Sequence, residues 1–566
     1  MQIEMLYIKN YRGLDIKIEG IQEVSIVIGQ NDSGKTNICS AILKVLDFNK
    51  RKTPFLLTDS TNSNGENIEI KIRLLANDLT NEQLALVGNY IHKVGDDKII
   101  EVKLNSVYNN ETMEYEDTLL YGKEDMDFEE VKANTQTQLD KVLSIIYITP
   151  VYDINQSKKD FFRFKEVYNK ENEKYFSSNI SESIENLNQT IQNEEIINTI
   201  QNEINDNGDF TELFEGLKFK VKPSIKEDNI YKSIDVSAFD NDDNEFENIG
   251  DGKSKIFSML LKSKTYKDNK KKIFIIEEPE NHLYVLLQKI YISTLLKMSP
   301  DQLIITTHSP YTIDFEKTRQ IIKIGFDKNS GKREIYSFNN INNEEFKKFG
   351  YLINVEVAEM LYYNNVLLIE GDSEKYFYSL LMTKDDDFTK KINNKRFGIY
   401  AVDGIAFKTI KELLEKLGIN VYIKTDNDIF KVPKKDEWRY AGLERCIQFL
   451  DKEQINKLQT LLNTSDFNFR VNSEDERIEE IEKNIDEICN ILYENKIIFS
   501  NHHEGFERDF IEYIKSNNRN TVDEEAIKFL KKAKLKNLHY FIEEYEIDIK
   551  VNDKNKNNVL VGFLYE

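Results

Sequence analysis

The N-terminal alternation of hydrophobic and polar residues predicts strands that lead into a loop and a helix. Apolar and polar side chains roughly alternate in IEMLYIKNY at 3–11, whereas VSIVIG at 24–29 is almost wholly apolar. Alternation is typical of a half-buried strand, and a short apolar run ending in glycine is typical of a buried one. The segment that begins near residue 35 is helical in its spacing. The first 60 residues are therefore predicted as strand, strand, loop and helix.

Three further segments predict an antiparallel lobe inserted after this helix. They are NIEIKIRLL at 67–75, KIIEVKLNSVY at 98–108 and TMEYEDTLLYG at 112–122, separated by polar turns. Residues 155–215 then follow a different pattern, because apolar residues recur at helical spacing in a background of Asn, Glu and Lys. Such a segment either pairs with itself in a second chain or forms a solvated helical insertion, and the sequence leaves both open.

The rest of the chain alternates apolar runs with helical segments, as α/β proteins do. KKIFIIEEPE at 271–280 and DQLIITTHSP at 301–310 are buried-strand patterns that end in polar residues. A second α/β pattern begins near 350, and the remainder is charged and helical. We therefore predict an α/β chain with a first domain at 1–345, including a helical insertion at about 155–245, and a second α/β domain at 346–566. Ligands in open α/β sheets bind at the carboxyl ends of strands.

Composition narrows the functional classes. The 77 Lys and Arg against 99 Asp and Glu give a formal charge of −22, which excludes a cationic DNA-coating protein. A nucleic-acid enzyme remains, because a basic groove can be local. Cys39, Cys446 and Cys489 form no CxxC pair, so a disulfide framework or a zinc site is not expected. With no secretory signal and no apolar run of about 20 residues, we expect a cytoplasmic protein without a membrane span.

The sequence GQNDSGKT at 29–36 fits the phosphate-loop pattern GxxxxGK[ST]. Gly29 and Gly34 allow the backbone to turn tightly, so that loop amides, with Asn31 among them, face the phosphates. Lys35 adds a positive charge, and Thr36 supplies an oxygen for Mg²⁺. A chance match in a solvated loop is the alternative, and the strand before the loop and the helix after it argue against that alternative.

Two later strand ends supply the matching chemistry. Glu277 would hold the water shell of the metal, and Glu278 would activate or orient the attacking water. His308, at the end of the next apolar run, would contact the terminal phosphate. The alternatives are a solvated acidic turn and a structural histidine. A Gly-x-Gly turn at Gly250 and Gly252 opens a helical segment, and it would present amides to a phosphate from a second chain.

Together with IKNYRGL at 8–14, these motifs resemble the ABC-type ATPase heads of the RecF, SMC and OLD families. The resemblance assigns Lys35 and Thr36 to Walker A, Glu277 and Glu278 to Walker B, Gly250 and Gly252 to the signature loop, and His308 to the switch position. Two departures matter: Glu277 stands where Asp is usual, and Asp251 where Ser is usual. An acid facing a γ-phosphate is repulsive. Slow hydrolysis or nucleotide sensing is therefore expected in place of fast turnover.

A second acidic constellation lies in the C-terminal half. Glu370 ends one apolar strand, with Glu374 four residues later, and Asp426 and Asp428 follow another. Carboxylates that meet at strand ends repel one another, and hard divalent cations such as Mg²⁺ relieve that repulsion. A two-metal arrangement would activate water and stabilise the departing oxygen of a phosphodiester. The alternative is a set of ordinary acidic turns in an acidic protein.

This second pattern resembles the TOPRIM domain, and an ATPase head followed by TOPRIM is the layout of OLD-family nucleases. The most specific stretches are GQNDSGKTN, FIIEEPE, THSP, LLIEGDSEK, IKTDNDI and GLERCIQFL. By this resemblance the metal-site residues are Glu370, Glu374, Asp426, Asp428 and Glu507. Glu504 competes with Glu507, and Asp509 is a further acid there. Lys534, followed by Lys532, would be the catalytic-site lysine within the basic run 528–536.

The resemblance implies an ATP-binding endonuclease that uses Mg²⁺ or Mn²⁺ to nick or cleave duplex DNA in defence against phage. It also implies control by bound nucleotide and a UvrD-like helicase partner. Because ABC-type heads bury nucleotide between two subunits, we expect a homo-oligomer of at least two chains, and the helical insertion leaves a tetramer open. Two rivals stay open: a DNA-clamping ATPase whose acidic site is degenerate, and a scaffold whose nucleotide site only stabilises assembly.

Overall fold

The strand that leads into the phosphate loop lies inside a six-stranded sheet. Its apolar side chains are therefore buried on both faces of that sheet. The structure is a computed structural model that describes residues 1–123, 127–149, 180–206, 218–223, 234–239, 245–246, 256, 270–313, 318–326, 332–339, 355–402, 406–431, 434, 438–463, 470–471, 474–515 and 524–565. The chain divides into two compact units, Met1–Val355 and Glu356–Glu566.

The strands of the first unit form two larger sheets and a small one. They are β1 Gln2–Tyr11, β2 Leu14–Glu19, β3 Val24–Gly29, β4 Ile68–Leu75, β5 His92–Val94, β6 Asp97–Asn109, β7 Glu114–Lys123, β8 Asp127–Lys132, β9 Leu143–Ile148, β10 Lys218–Pro223, β11 Ile234–Phe239, β12 Glu245–Phe246, β13 Lys271–Glu277, β14 Gln302–Thr307, β15 Gln320–Phe326 and β16 Arg333–Asn339. The helices of this part are α1 Lys35–Leu46, α2 Phe48–Arg51, α3 Asn81–Val87, α4 Leu139–Val142, α5 Ile180–Gln192, α6 Glu195–Asn205 and α7 Val285–Lys297.

The six-stranded sheet has the order β16-β15-β3-β14-β13-β9. All neighbours are parallel except β15 and β16, which are antiparallel. Parallel strands bring their carboxyl ends to one edge of the sheet, and strand β14 lies between β3 and β13. The ends of the three strands that carry the ATPase motifs are therefore adjacent.

The predicted antiparallel lobe is present, but it is more than an insertion. Its sheet has the order β2-β1-β4-β6-β7-β8, with β5 paired to β6. The first two strands of the chain, β1 and β2, thus join the lobe, whereas β3, which leads into the phosphate loop, joins the ATPase sheet. Helix α1 lies between both sheets and buries Ile38, Ile42 and Val45 in a core shared with strands of each. This shared core explains why β1 and β2 are so apolar on one face.

Part of the predicted helical insertion packs within its own chain. The α6 side chains of Ile197, Ile200 and Ile204 lie in the core on the second face of the ATPase sheet, together with Leu287 and Tyr291 of α7. This apolar face is therefore covered within the same chain. Much of 155–245, as well as the predicted signature loop at Gly250 and Gly252, lies outside the described residues.

The second unit is built on a four-stranded parallel sheet of order β18-β17-β19-β23. Its strands are β17 Asn365–Ile369, β18 Phe397–Ala401, β19 Asn420–Thr425, β20 Ile429–Lys431, β21 Trp438–Tyr440, β22 Arg470–Val471 and β23 Ile497–Phe499. From the unit boundary onward the helices are α8 Val355–Met360, α9 Asp372–Lys384, α10 Asp386–Lys395, α11 Phe407–Lys416, α12 Ala441–Ile447, α13 Lys452–Leu461, α14 Glu474–Tyr493, α15 Phe506–Lys515, α16 Glu524–Lys532 and α17 Lys534–Glu544.

Apolar cores cover both faces of this sheet. Leu367 and Ile369 of β17 pack with α9 and α15 on one face, whereas Ile497 and Phe499 of β23 pack with α12 and α14 in a separate core. The strand ends are therefore held rigidly from both sides. No described helix in either unit is both long enough and apolar enough to cross a membrane.

Candidate nucleotide site and candidate metal centre

The phosphate loop joins the end of β3 to the start of α1. Gly34 has φ +107°, a left-handed conformation that side chains rarely adopt, and a Cβ there would lie 2.8 Å from Leu14 Cδ2. The ammonium of Lys35 folds back and donates to the carbonyl oxygens of Gly29 and Gln30, each at 2.9 Å. The loop is thus closed around its own lysine.

Carboxylates from the end of β13 face this lysine. Burial lowers the pKa of Lys35 to about 8, although Glu278, Glu280 and Glu277 act to raise it. Among the predicted phosphate-loop residues, Asn31 and Thr36 are exposed while Lys35 is buried. The structure therefore brings the predicted Walker A lysine and the predicted Walker B acids together, as the sheet order requires.

The two Walker B glutamates differ in environment. Glu277 is 2% exposed; its Oε2 accepts a hydrogen bond from the Tyr147 hydroxyl, while its buried Oε1 has no hydrogen-bond partner. Glu278 has φ +43°, and its Oε1 lies 3.5 Å from His308 Nε2. Burial lowers the pKa of His308, and the charge of Lys35 lowers it further. His308 therefore lies beside the Walker B acids, and its backbone N–H also donates to Glu280 Oε1.

These residues fit a bound Mg²⁺–nucleotide. A buried carboxylate oxygen without a partner is an unsatisfied acceptor, which a cation or its water shell can satisfy. Amides at the N-terminus of α1 and the ammonium of Lys35 are suited to phosphate oxygens. The chain thus holds a candidate nucleotide site whose described part consists of the phosphate loop, the end of β13 and His308.

In the second unit, Glu370 follows directly after β17 and meets the end of β19. Its Oε1 accepts hydrogen bonds from the Thr425 hydroxyl and from the Asp426 amide, the latter at 3.1 Å. The guanidinium of Arg445, on α12, lies 3.0 Å from Glu370 Oε1 and 2.8 Å from Asp428 Oδ2. Burial raises the pKa of Glu370, and Arg445 opposes that rise. Arg445 therefore links two of the predicted metal ligands.

Glu374 lies at the start of α9, behind Glu370. Its Oε2 accepts from the amides of Glu370 and Gly371 at 3.0 and 3.1 Å, whereas its buried Oε1 has no hydrogen-bond partner. Burial raises the pKa of Glu374 to about 8, while Lys424 acts to lower it. Glu374 thus holds the turn after β17 with one oxygen and leaves the other unsatisfied.

Close backbone packing fixes the position of Asp426. Ser500 donates to Asp426 Oδ1 at 3.1 Å. A Cβ on Gly505 would lie 2.7 Å from the Asp426 carboxylate, and a Cβ on Gly442 would lie 2.2 Å from its carbonyl oxygen. Both glycines are therefore needed for the segments after β23 and at the start of α12 to approach this aspartate.

The late acids separate into two environments. Burial raises the pKa of Glu507, while Lys534 and then Lys531 lower it and Asp426 raises it. Glu504 instead pairs with His503 at 3.6 Å and with Arg508 at 3.9 Å. Glu507 is thus the late glutamate that shares the electrostatic environment of Asp426, with Lys534 as its strongest basic neighbour.

Within the described residues, no three His, Cys, Asp or Glu side chains are arranged to hold a metal ion as they stand. Arg445 lies between Glu370 and Asp428, and its guanidinium neutralises both carboxylates. The donor set nevertheless fits a hard divalent ion, because it consists of carboxylates and includes the unsatisfied Oε1 of Glu374.

Sequence reasoning missed Lys424, Arg445 and Ser500. Lys424 lies near the end of β19, two residues before Asp426, so the period-two alternation of a strand predicts both side chains on one face. This spacing is the sequence signal that indicates Lys424. Arg445 lies in GLERCIQFL, which was noted only as a stretch similar to the OLD family, and Ser500 has no distinguishing sequence context.

Comparison with known proteins supports this two-part layout. A family model described as an AAA ATPase domain matches residues 1–313, more than half of the chain. A second, described as the TOPRIM domain of overcoming lysogenization defect protein-like proteins, matches residues 361–428. The chain belongs to the OLD family of AAA ATPases. This OLD-family chain is 27% identical over 481 residues to Endonuclease GajA of Bacillus cereus (strain VD045), covering 81% of the chain and 80% of that relative.

Solved SMC heads show only a distant likeness. The SMC head bound to the C-winged helix domain of ScpA has a TM-score of 0.41 and 16% identity, covering 61% of the OLD-family chain and 99% of that head. The SMC head domain from Thermotoga maritima has a TM-score of 0.31 and 13% identity, covering 60% and 100%. The two family models confirm the predicted OLD resemblance and the predicted fold class, an ATPase head followed by a TOPRIM domain.

Proposed function

We propose that this OLD-family chain is a divalent-metal-dependent DNA endonuclease of an antiviral defence system, controlled by bound nucleotide. The observation that carries the proposal is the acidic centre of the second unit, where Glu370, Asp426 and Asp428 meet at the ends of two parallel strands around Arg445. The relative to which this chain is 27% identical, GajA, is named an endonuclease. We assign the ATPase domain to 1–345 and the TOPRIM nuclease domain, with its helical C-terminal part, to 346–566.

The proposed metal ligands are Glu370, Glu374, Asp426, Asp428 and Glu507. Bound Mg²⁺ or Mn²⁺ supplies a Lewis acid and lowers the pKa of coordinated water, as in other phosphodiester hydrolases. The residues of the chain contribute orientation. Ser500 and Gly505 hold Asp426, and Glu374 holds the turn at Glu370 through two amides. Arg445 would neutralise Glu370 and Asp428, and its guanidinium is also suited to a phosphate oxygen of the DNA.

The basic helices α16 and α17 form the proposed DNA-facing side of this centre. Lys531 and Lys534 are exposed and act on Glu507, so a phosphate held by them lies beside the acidic centre. Phe529 and Tyr540 are also exposed, and their rings lie 6.1 Å apart. Lysine and exposed aromatic side chains together suit a nucleic-acid strand, because ammonium groups neutralise phosphates and rings stack on bases. A local basic surface of this kind can bind nucleic acid although the net charge of the whole chain is negative.

The first unit is the proposed nucleotide sensor. Lys35 and Thr36 would contact phosphates and Mg²⁺, with Asn31 in the same loop, and Glu277, Glu278 and His308 would surround the terminal phosphate. Gly250 and Gly252 would complete the site from a second chain. We therefore expect ATP binding in a dimer or larger homo-oligomer. By resemblance to Gabija-type defence nucleases, we also expect a UvrD-like helicase partner, duplex DNA as substrate and a cytoplasmic location.

The test is cleavage of supercoiled plasmid by the full chain across a titration of Mg²⁺ or Mn²⁺. Glu370→Gln and Asp426→Asn should each remove nicking, whereas the matched surface controls Glu453→Gln and Asp387→Asn should cleave as the unsubstituted chain does. Those controls are 79% and 86% exposed. Unchanged nicking by either active-centre variant would refute the site assignment.

The control by nucleotide is tested separately. Lys35→Ala should abolish the effect of ATP on cleavage, because it removes the ammonium beside the phosphates. An unchanged ATP response would show that the head is not the sensor. DNA-stimulated ATP hydrolysis without strand breaks would favour the clamping ATPase. A change in size with nucleotide and no DNA chemistry would favour the scaffold.

A further inference from the structure

We propose that Arg333 is a positioning residue that holds the phosphate loop in its nucleotide-binding conformation. The proposal rests on the nucleotide site assigned above and is independent of nuclease activity in the second unit. Arg333 is the first residue of β16, the edge strand of the ATPase sheet, and lies some 300 residues from the loop in sequence. Nothing in the phosphate-loop motif itself points to it.

One guanidinium reaches three backbone carbonyls. Its Nε donates to the carbonyl oxygen of Ser33 at 2.6 Å, and its Nη2 donates to that of Asp32 at 3.2 Å. Its Nη1 donates to the carbonyl oxygen of Gly13, in the turn between β1 and β2. Arg333 therefore joins the phosphate loop to the adjoining turn of the antiparallel sheet.

Two glycines provide the room for this arrangement. A Cβ on Gly13 would lie 2.6 Å from Arg333 Nη1, and a Cβ on Gly34 would lie 3.3 Å from Arg333 Nε. Both glycines have positive φ, at +75° and +107°. Gly34 is thus constrained from outside the loop as well as by the tight turn, since a side chain there would crowd the guanidinium.

The physical reason for a clamp is the orientation of the peptide groups. A loop that turns its amides toward phosphate turns carbonyl oxygens away from it, and those oxygens need donors. The ammonium of Lys35 donates to the carbonyl oxygens of Gly29 and Gln30, but it is also the group predicted to bind phosphate. Arg333 donates to the carbonyls of Asp32 and Ser33 from strand β16, and it is not among the residues predicted to bind phosphate. A planar guanidinium carries five donors in a rigid fork, so it can hold carbonyls of two separate segments at once.

The experiment measures binding of a fluorescent ATP analogue with Mg²⁺ to the full chain. Arg333→Gln should weaken affinity by about tenfold or more, and Arg333→Lys should fall between it and the unsubstituted protein, because an ammonium retains part of the donor set. The matched control is Lys332→Gln, an exposed neighbour that loses the same charge. Its affinity should stay within about twofold of the original.

Amide hydrogen exchange of the nucleotide-free protein separates positioning from general stabilisation. In Arg333→Gln, amides of residues 29–36 should exchange faster than in the unsubstituted chain, while those of β3 and β14 stay protected. Unchanged affinity, or unchanged exchange in the loop, would overturn the proposal, and so would faster exchange spread over the whole sheet. If Arg333→Gln fails to fold, the same two measurements on Arg333→Lys decide the matter. Loss of plasmid cleavage has no bearing on either measurement.

Discussion

The ammonium of Lys424 lies 3.0 Å from Oδ2 of Asp509, and neither side chain has any exposure to solvent. Lys424 also lies 3.7 Å from Asp426 and 3.9 Å from Glu374. Burial alone would lower the pKa of Lys424, but these three carboxylates raise it. A fixed positive charge thus lies beneath the acidic centre, so that strands and helices carrying several acids can pack together.

Removing this charge should destabilise the second unit. Lys424→Met should lower its free energy of unfolding by about 3–5 kcal/mol, because it leaves buried carboxylates without their cation. Urea denaturation in the presence of a chelator measures this. Lys457→Met is the control, since Lys457 pairs with Glu453 at the surface, and it should have no measurable effect. Equal stability of the two variants would show that the acids are neutralised in another way.

Gly505→Ala should lower the rate of plasmid nicking although it replaces no acidic residue. Gly505 has φ +69°, and an added Cβ would lie 2.7 Å from the Asp426 carboxylate, which must then move. A displacement of about 1 Å at a reacting centre can lower a rate about 100-fold, and we expect that loss in plasmid nicking. Gly562→Ala is the control, because its added Cβ would lie 3.6 Å from the carbonyl oxygen of Asn557, which is ordinary contact. Full activity of Gly505→Ala would mean that Asp426 does not need its present position.

The lysines of the basic run should differ in effect. Lys534→Gln should lower the cleavage rate by about 100-fold, as expected for a charge that stabilises the transition state, with Lys531→Gln weaker. Both lysines act on Glu507, and Lys534 acts more strongly. Lys532→Gln, an exposed neighbour with the same charge change, should cleave at nearly the original rate. A larger loss for Lys532 than for Lys534 would reverse the assignment.

The ion pair of His502 with Glu512, 2.9 Å apart, should make stability depend on pH. The hydrogen bond with Glu512 raises the pKa of His502, and the same bond lowers the pKa of Glu512. The histidine contribution is complete below its unfolded pKa of about 6.5 and is lost as pH rises through its folded value. The glutamate contribution is complete above about 4.3 and is lost as pH falls through its folded value.

His502→Gln should therefore destabilise the chain near pH 6 and have little effect near pH 9. Because both groups are partly exposed, the difference at pH 6 should be at most about 1 kcal/mol. Urea denaturation at the two pH values measures it. In a Glu512→Gln background the histidine substitution should lose this pH dependence. A difference that grows toward pH 9 would contradict the pairing.

Some features follow from local sequence patterns and others from distant contacts. GQNDSGKT predicts a phosphate loop because Gly, Lys and Thr at this fixed spacing bind phosphate and Mg²⁺. FIIEEPE predicts a strand that ends in carboxylates. By resemblance the sequence favours Glu507 and leaves Glu504 as a competitor, since both lie in the same short acidic segment. In the structure Glu507 lies on α15 in the electrostatic environment of Asp426, whereas Glu504 lies before that helix and pairs with Arg508. The signature loop at Gly250 and Gly252 remains a prediction.

The sequence by itself determined the order of the two domains, the phosphate loop and the carboxylates, because these depend on residue type, spacing and hydrophobic period along a continuous stretch. Only the tertiary structure decided that Arg333 holds the loop, that Arg445 lies between Glu370 and Asp428, and that Lys424 is buried among acids. Those partners come together because strands and helices far apart in sequence share an edge of a sheet. No local pattern records a charge pair between residues that lie far apart in the sequence.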